Sequence, residues 1–112
     1  MLVLPNETRK SSTANVYDAF DASDGFDERR AALLAALASV SRPADLAALP
    51  PNDLASSPLA KELLAAGAFR ADVSGAGPTV YGLFVEEHDA AAAVRRLRAR
   101  GRVWMTTPAW YG

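Results

Sequence analysis

The chain has 112 residues, half of them hydrophobic, a formal net charge of -1 at pH 7 and no cysteine. One domain is expected, burying roughly two-thirds of its unfolded surface. The near-neutral, slightly acidic balance argues against a nucleic-acid or acidic-membrane partner. Without cysteine there is no disulfide framework, thiolate zinc site or cysteine nucleophile. The opening Met1-Leu2-Val3-Leu4-Pro5-Asn6 turns polar too soon for a signal peptide or a membrane span, so a soluble, cytoplasmic protein is expected.

Leu2-Val3-Leu4, ended by Pro5, reads as a short strand, and Asn6 to Ser12 as a polar loop. Ser12 or Thr13 then offers a side-chain oxygen to cap a helix carrying Val16, Tyr17 and Phe20 on one face. Asp21 to Gly25 breaks it. Asp27 to Val40 is the clearest helix, with Leu33, Leu34, Leu37 and Val40 as the expected buried stripe and Glu28, Arg29 and Arg30 outside. Ser41-Arg42-Pro43 stops it and starts a short turn through Leu46 and Leu49. After the break at Pro50-Pro51-Asn52-Asp53, Ser57-Pro58 opens a helix to Ala66 that turns Leu59, Leu63 and Leu64 inward and ends at Gly67. Two extended runs follow, Ala71 to Ser74 and Thr79 to Val85, then a helix from Asp89 to Arg100 with Ala90, Val94 and Leu97 on one face. Gly101 stops that helix, Arg102 to Thr106 forms a last strand, and Pro108 to Gly112 is a tail.

With the helical insert counted as one layer, the order is βαββαβ, an α+β ferredoxin-like arrangement. A four-stranded antiparallel sheet is expected, with helices on one face and extra helices in the first crossover. The Thr79–Val85 and Val103–Met105 runs are apolar without clean alternation, as in strands buried on both faces. The second sheet face therefore calls for a partner: another domain, a second copy of the chain, or the tail.

Between the two central strands lies Val73-Ser74-Gly75-Ala76-Gly77-Pro78-Thr79. Gly75 and Gly77 can take positive φ, and Pro78 has no N–H. The donors offered here are the amides of Gly75, Ala76, Gly77 and Thr79, with the hydroxyls of Ser74 and Thr79. Successive bare amides in a tight turn form a nest for phosphate or carboxylate oxygens. A plain hairpin turn needing small residues is the competing reading.

Other polar residues read as structural. Asp72, alone on a strand edge, is expected to be solvated rather than a base. His88 has no second histidine and is expected at the surface. The run Arg95 to Arg102 complements the C-terminal end of a helix dipole rather than forming a binding patch. Asn52 and Asp53 suit a turn or a helix start.

Three segments together resemble one family. Val73 to Tyr81 resembles the third motif of the GHMP small-molecule kinases, a glycine turn of their C-terminal domain facing the active site. Leu2-Val3-Leu4-Pro5 followed by Ser12-Thr13-Ala14-Asn15-Val16-Tyr17, and then Asn52-Asp53-Leu54, resembles the group acting on 4-diphosphocytidyl-2-C-methyl-D-erythritol. The resemblance implies transfer of the ATP γ-phosphoryl to a substrate hydroxyl in non-mevalonate isoprenoid precursor synthesis. It implies ATP with magnesium in the complete enzyme, and substrate or phosphate contacts by Thr13, Ser74, Gly75, Ala76, Gly77 and Thr79. No segment resembles the family's N-terminal ATP-loop domain. Residues 1–112 are thus expected to be the C-terminal domain alone, inactive by itself. The alternatives are a standalone ligand-binding module on the same scaffold, or the matching domain of another family member such as homoserine kinase.

Overall fold

A computed structural model describes residues 1–6 and 12–109. Residues 7–11 of the polar loop expected from Asn6 to Ser12, and residues 110–112 at the end of the tail, lie outside the described residues. The elements in order are β1 (Leu2–Pro5), α1 (Thr13–Asp21), α2 (Phe26–Ala38), a 3-10 helix (Pro43–Ala48), α3 (Pro58–Ala65), β2 (Arg70–Val73), β3 (Val80–Leu83), α4 (Glu87–Leu97) and β4 (Gly101–Trp104). The strands form one sheet in the order β2-β3-β1-β4, every neighbouring pair antiparallel. This is the ferredoxin-like arrangement with the extra helices in the first crossover.

Register fixes which side chains share a face. Val73, Val80, Val3 and Val103 lie abreast across the four strands. The first three are buried with Leu59, Leu63, Ala93 and Leu97 from the helices to form the core. Helix α3 packs on β2 and β3, and α4 meets β4. Ser57 caps α3, its hydroxyl accepting from Leu59 N at 3.2 Å, and Pro58 occupies the first turn, where a missing N–H costs nothing. Gly67, just past the end of α3, has φ +105 and turns the chain toward β2.

The opposite sheet face carries Asp72, Tyr81, Leu2 and Trp104 abreast. Leu2 is 37% and Trp104 45% exposed. The Arg102 guanidinium lies 5.9 Å from the Trp104 ring centroid. β3 is therefore apolar toward both faces, as expected, with Val80 toward the core and Tyr81 and Leu83 away from it. It ends sooner than expected, and Val85 lies beyond it, largely exposed.

The expected buried stripe of α2 is corrected, only its Val40 being half-buried. Leu33, Leu34 and Leu37 of α2 are 40–50% exposed, and neither α1 nor α2 has a buried residue. The reason is positional: α1 and α2 have little direct contact with the sheet, so α2 has no strand layer on which to bury its leucines. The half-buried residues of α2 are Arg29 and Ala36, and the contacts of Arg29 are polar. Arg29, expected outside, donates from Nε to Asp53 Oδ2 at 3.1 Å, from Nη1 to Asp24 O, and from Nη2 to Ser23 Oγ at 3.3 Å. Its guanidinium also lies 5.8 Å from the Phe20 ring centroid, and Phe20 meets Phe26 edge-on. In α3, Leu59 and Leu63 point inward as expected, whereas Leu64 is 47% exposed.

The 3-10 helix is locked at its start by one carboxylate. Asp45 Oδ2 accepts from the Ser41 and Arg42 amides at 3.0 and 2.9 Å and from the Ser41 hydroxyl at 3.1 Å. These amides, Ser41 first, hold the Asp45 pKa below its ordinary 3.8. A folded value below the unfolded one means that the stabilisation is present above pH 3.8 and lost as pH falls through the lowered folded value. Lowering the pH from neutrality through that folded value is therefore expected to release the Ser41 and Arg42 amides, seen as loss of their downfield shifts in NMR spectra. In Asp45→Asn the same two resonances are expected to lack that acid step.

Candidate functional site: the glycine turn and its support

The β2–β3 hairpin ends in a loop closed by two internal bonds, Ser74 N to Thr79 O at 2.8 Å and Gly77 N to Ser74 O at 3.0 Å. Gly75 and Gly77 adopt φ +56 and +81, left-handed conformations that glycine takes without a Cβ penalty. A Cβ on Gly75 would meet nothing within 4 Å, whereas one on Gly77 would lie 3.2 Å from Val73 Cγ1. The two glycines thus do different things: Gly77 makes room for the turn, and Gly75 leaves open space in front of it.

The donor set is smaller than the residue types imply. The Gly77 amide is used inside the turn. Among the described residues nothing accepts from the amides of Gly75, Ala76 or Thr79. Three N–H groups of the turn are therefore unpartnered, and the Cβ position of Gly75 beside two of them is open. Ser74 is exposed and Thr79 half-buried at the two ends of the turn.

Behind the turn stands a polar clasp. Asn52 Nδ2 donates to Val73 O and to Gly75 O, both at 2.8 Å. Its Oδ1 accepts from Leu54 N at 2.7 Å, and its own amide donates to Asp72 Oδ2 at 2.7 Å. Asp72, expected to be solvated, is 7% exposed. The cause of this burial is Arg70, which shares its face of β2 and donates to Asp72 Oδ2 at 3.2 Å, to Pro50 O at 2.8 Å, to Leu49 O and to Tyr81 Oη at 3.3 Å. The chain at 49–52 is thereby drawn over the β2 edge on the open sheet face. Sequence reasoning missed Arg70. The available signal was Arg70-Ala71-Asp72, since residues two apart on a strand share a face.

Thr13 stands apart from this cluster. Ser12, with ψ 147, is the cap of α1, its hydroxyl accepting from Asn15 N at 3.1 Å. Thr13 is thus the first residue of α1 and exposed, and among the described residues no hydrogen bond joins it to the turn. A cavity of about 270 Å³ separates α1 from the 53–54 segment, with Val16, Phe20, Asp53 and Leu54 in its lining. His88 is exposed beside Asp89, and Arg95 and Arg96 fill the last turn of α4, where cations complement the helix dipole. Arg100 pairs with Glu62 at 2.9 Å. Among the described residues no cluster of three His, Asp or Glu side chains is arranged to hold a metal, and no helix is long and apolar enough to cross a membrane.

Over 40 residues the chain is 55% identical to the 4-diphosphocytidyl-2-C-methyl-D-erythritol kinase of Geobacter sulfurreducens. That stretch is 36% of this chain and 14% of the relative, so the match spans only a small part of the kinase. No solved structure matches the chain. The family described as GHMP kinases C terminal matches residues 22–103, from the end of α1 to β4 and across the whole glycine turn. The chain belongs to the GHMP kinase C-terminal family.

Proposed function

We propose that this domain serves an ATP-dependent small-molecule kinase as its substrate- and phosphate-positioning part, the acceptor being 4-diphosphocytidyl-2-C-methyl-D-erythritol. The observation that carries the reading is the set of three unpartnered amides, Gly75, Ala76 and Thr79, in the turn of the β2–β3 hairpin, beside the open Cβ position of Gly75. Phosphoryl transfer needs positioning and charge stabilisation more than covalent help from the protein. Amides already aimed at an oxyanion supply that without reorganisation.

In this reading Gly75, Ala76 and Thr79 donate to phosphate oxygens, and the Ser74 and Thr79 hydroxyls orient neighbouring groups. Gly77 shapes the turn instead of donating. Thr13 meets the substrate from the start of α1. ATP supplies the transferred phosphoryl group, and the neutral amides fit its oxygens rather than its magnesium. The open sheet face around Leu2, Tyr81 and Trp104 seats the ATP-loop domain in the cytoplasmic enzyme.

The test is phosphorylation of 4-diphosphocytidyl-2-C-methyl-D-erythritol by this chain, alone and mixed with an ATP-loop half of the Geobacter kinase stripped of its own C-terminal domain. Turnover in the mixture and none with either part alone is expected. Homoserine phosphorylation in the same mixture would move the substrate assignment to another member of the family, and phosphate binding without any turnover would favour a ligand-binding module. A smaller expectation concerns Gly75→Ala. The left-handed conformation costs an alanine about 1 kcal/mol of stability. Its methyl adds bulk beside the unpartnered Gly75 and Ala76 amides, so phosphate affinity, followed by NMR titration, is expected to fall about tenfold, or 1.4 kcal/mol.

A further inference from the structure

In the turn that bears the three amides, Pro78 is the one residue whose own ring fixes φ. Two of its six residues are glycines in the left-handed region, and glycine has more backbone freedom to lose on ordering than any other residue. Its two internal bonds fix Ser74 and Gly77, but neither involves the peptide unit between Gly75 and Ala76. That unit is held from outside, by Asn52.

A trans peptide is planar, so its C=O and N–H point in opposite directions. Asn52 Nδ2 binds Gly75 O at 2.8 Å, and fixing that oxygen aims the Ala76 N–H the other way. The second Nδ2 proton is used on Val73 O at 2.8 Å. This steadies the peptide unit that carries Ser74 N, the donor closing the loop to Thr79 O. Asn52 is itself held at two further points, by Leu54 N on its Oδ1 and by Asp72 on its own amide. Both side-chain N–H groups of Asn52 are therefore committed to the turn, and its Oδ1 to Leu54.

We propose that Asn52 is a positioning residue of the candidate site, which aims the Ala76 N–H at a bound phosphate oxygen by anchoring the Gly75 carbonyl. The phosphate part of this inference rests on the function proposed above; the aiming of the peptide does not. Asparagine is required by the chemistry. Two donors from one planar group reach two carbonyls while the oxygen of that group accepts from Leu54. Aspartate keeps the acceptor but sets a carboxylate against two carbonyl oxygens, which favours rotation of the Gly75–Ala76 peptide.

The experiment uses this chain, wild type and as Asn52→Asp and Asn52→Ala, with amide exchange and inorganic phosphate titration followed by NMR. In both variants the Ser74 and Gly77 amides are expected to exchange at least about tenfold faster, while Ala66 N, bonded within α3 and its cap, serves as the unchanged reference. The phosphate-induced shift of Ala76 is expected in the wild type and lost in both variants. Exchange at Ser74 and Gly77 unchanged in Asn52→Asp would overturn the positioning role. A wild-type Ala76 that ignores phosphate would overturn the phosphate reading alone, leaving the exchange result to judge the aiming of the turn. Should the variants not fold, the wild type decides: slow exchange of the two Asn52 Nδ2 protons supports the clasp, and exchange at the rate of a free side-chain amide refutes it.

Discussion

Gly101→Ala is expected to cost about 3 kcal/mol or more, the upper range for forcing extra volume into a packed site. The added Cβ would fall 2.1 Å from Leu4 O, 2.8 Å from Leu4 C and 3.0 Å from Pro5 Cα. All three are backbone atoms of the neighbouring strand, so no side chain can rotate to make room. Gly101 pairs with Pro5 at the end of the β1–β4 ladder, and Asn6 N donates to Arg100 O at 3.0 Å just beyond it. Alanine must push β4 off β1 there. Because β1 lies between β3 and β4, the displacement exposes one flank of the strand bearing the fully buried Val3. A lower urea midpoint with an unchanged slope is the expected observation. A shift worth less than about 1 kcal/mol would mean that the strand end relaxes freely and that the contact is not fixed by the fold.

What the sequence revealed and what it hid follow from the range of the forces involved. Strand and helix order, the cap at Ser57, the turn at Gly67 and the inward Leu59 and Leu63 follow from local periodicity and capping, which act within a few residues. The glycine turn was legible for the same reason, since positive φ at Gly75 and Gly77 is a local demand. Gly101 showed the limit of such reading. Its place after α4 suggested a helix stop, whereas the requirement comes from the backbone of Leu4, some hundred positions away in sequence. The α2 leucines failed in a similar way. Periodicity shows that a helix has an apolar side, not that anything lies beneath it. Asp72 read as solvated because its partners come from two places: Arg70 two residues back, and Asn52 twenty residues away across the insert. A polar cluster assembled by tertiary contacts leaves only faint marks in each segment that contributes to it. Even so, the segment Asn52-Asp53-Leu54 was singled out by resemblance, and its geometry now supplies a physical reason for the asparagine.

Arg70→Met is expected to be the costliest change at the candidate site, about 3 kcal/mol by analogy with removing one partner of a largely buried ion pair. The two side chains are only 13% and 10% exposed, so water cannot readily replace the lost guanidinium. Methionine fills most of the volume but abandons the carbonyls of Leu49 and Pro50, the Tyr81 hydroxyl and the Asp72 carboxylate together. Asp72 would keep only the Asn52 and Val73 amides. A double-mutant cycle with Asp72→Asn separates the two consequences. Neutralising Asp72 relieves the uncompensated charge, so the double variant is expected to recover about 1 kcal/mol or more relative to the sum of the single changes. Loss of the Leu49 and Pro50 contacts is not recovered, because those carbonyls face position 70 rather than Asp72. Zero coupling by urea unfolding would show the ion pair to be incidental and Arg70 to act only as a tie to the 49–50 segment. Nonzero coupling would make Arg70 the base of a chain running through Asp72 and Asn52 to Gly75, in which the buried charge holds the clasp and the clasp holds the turn.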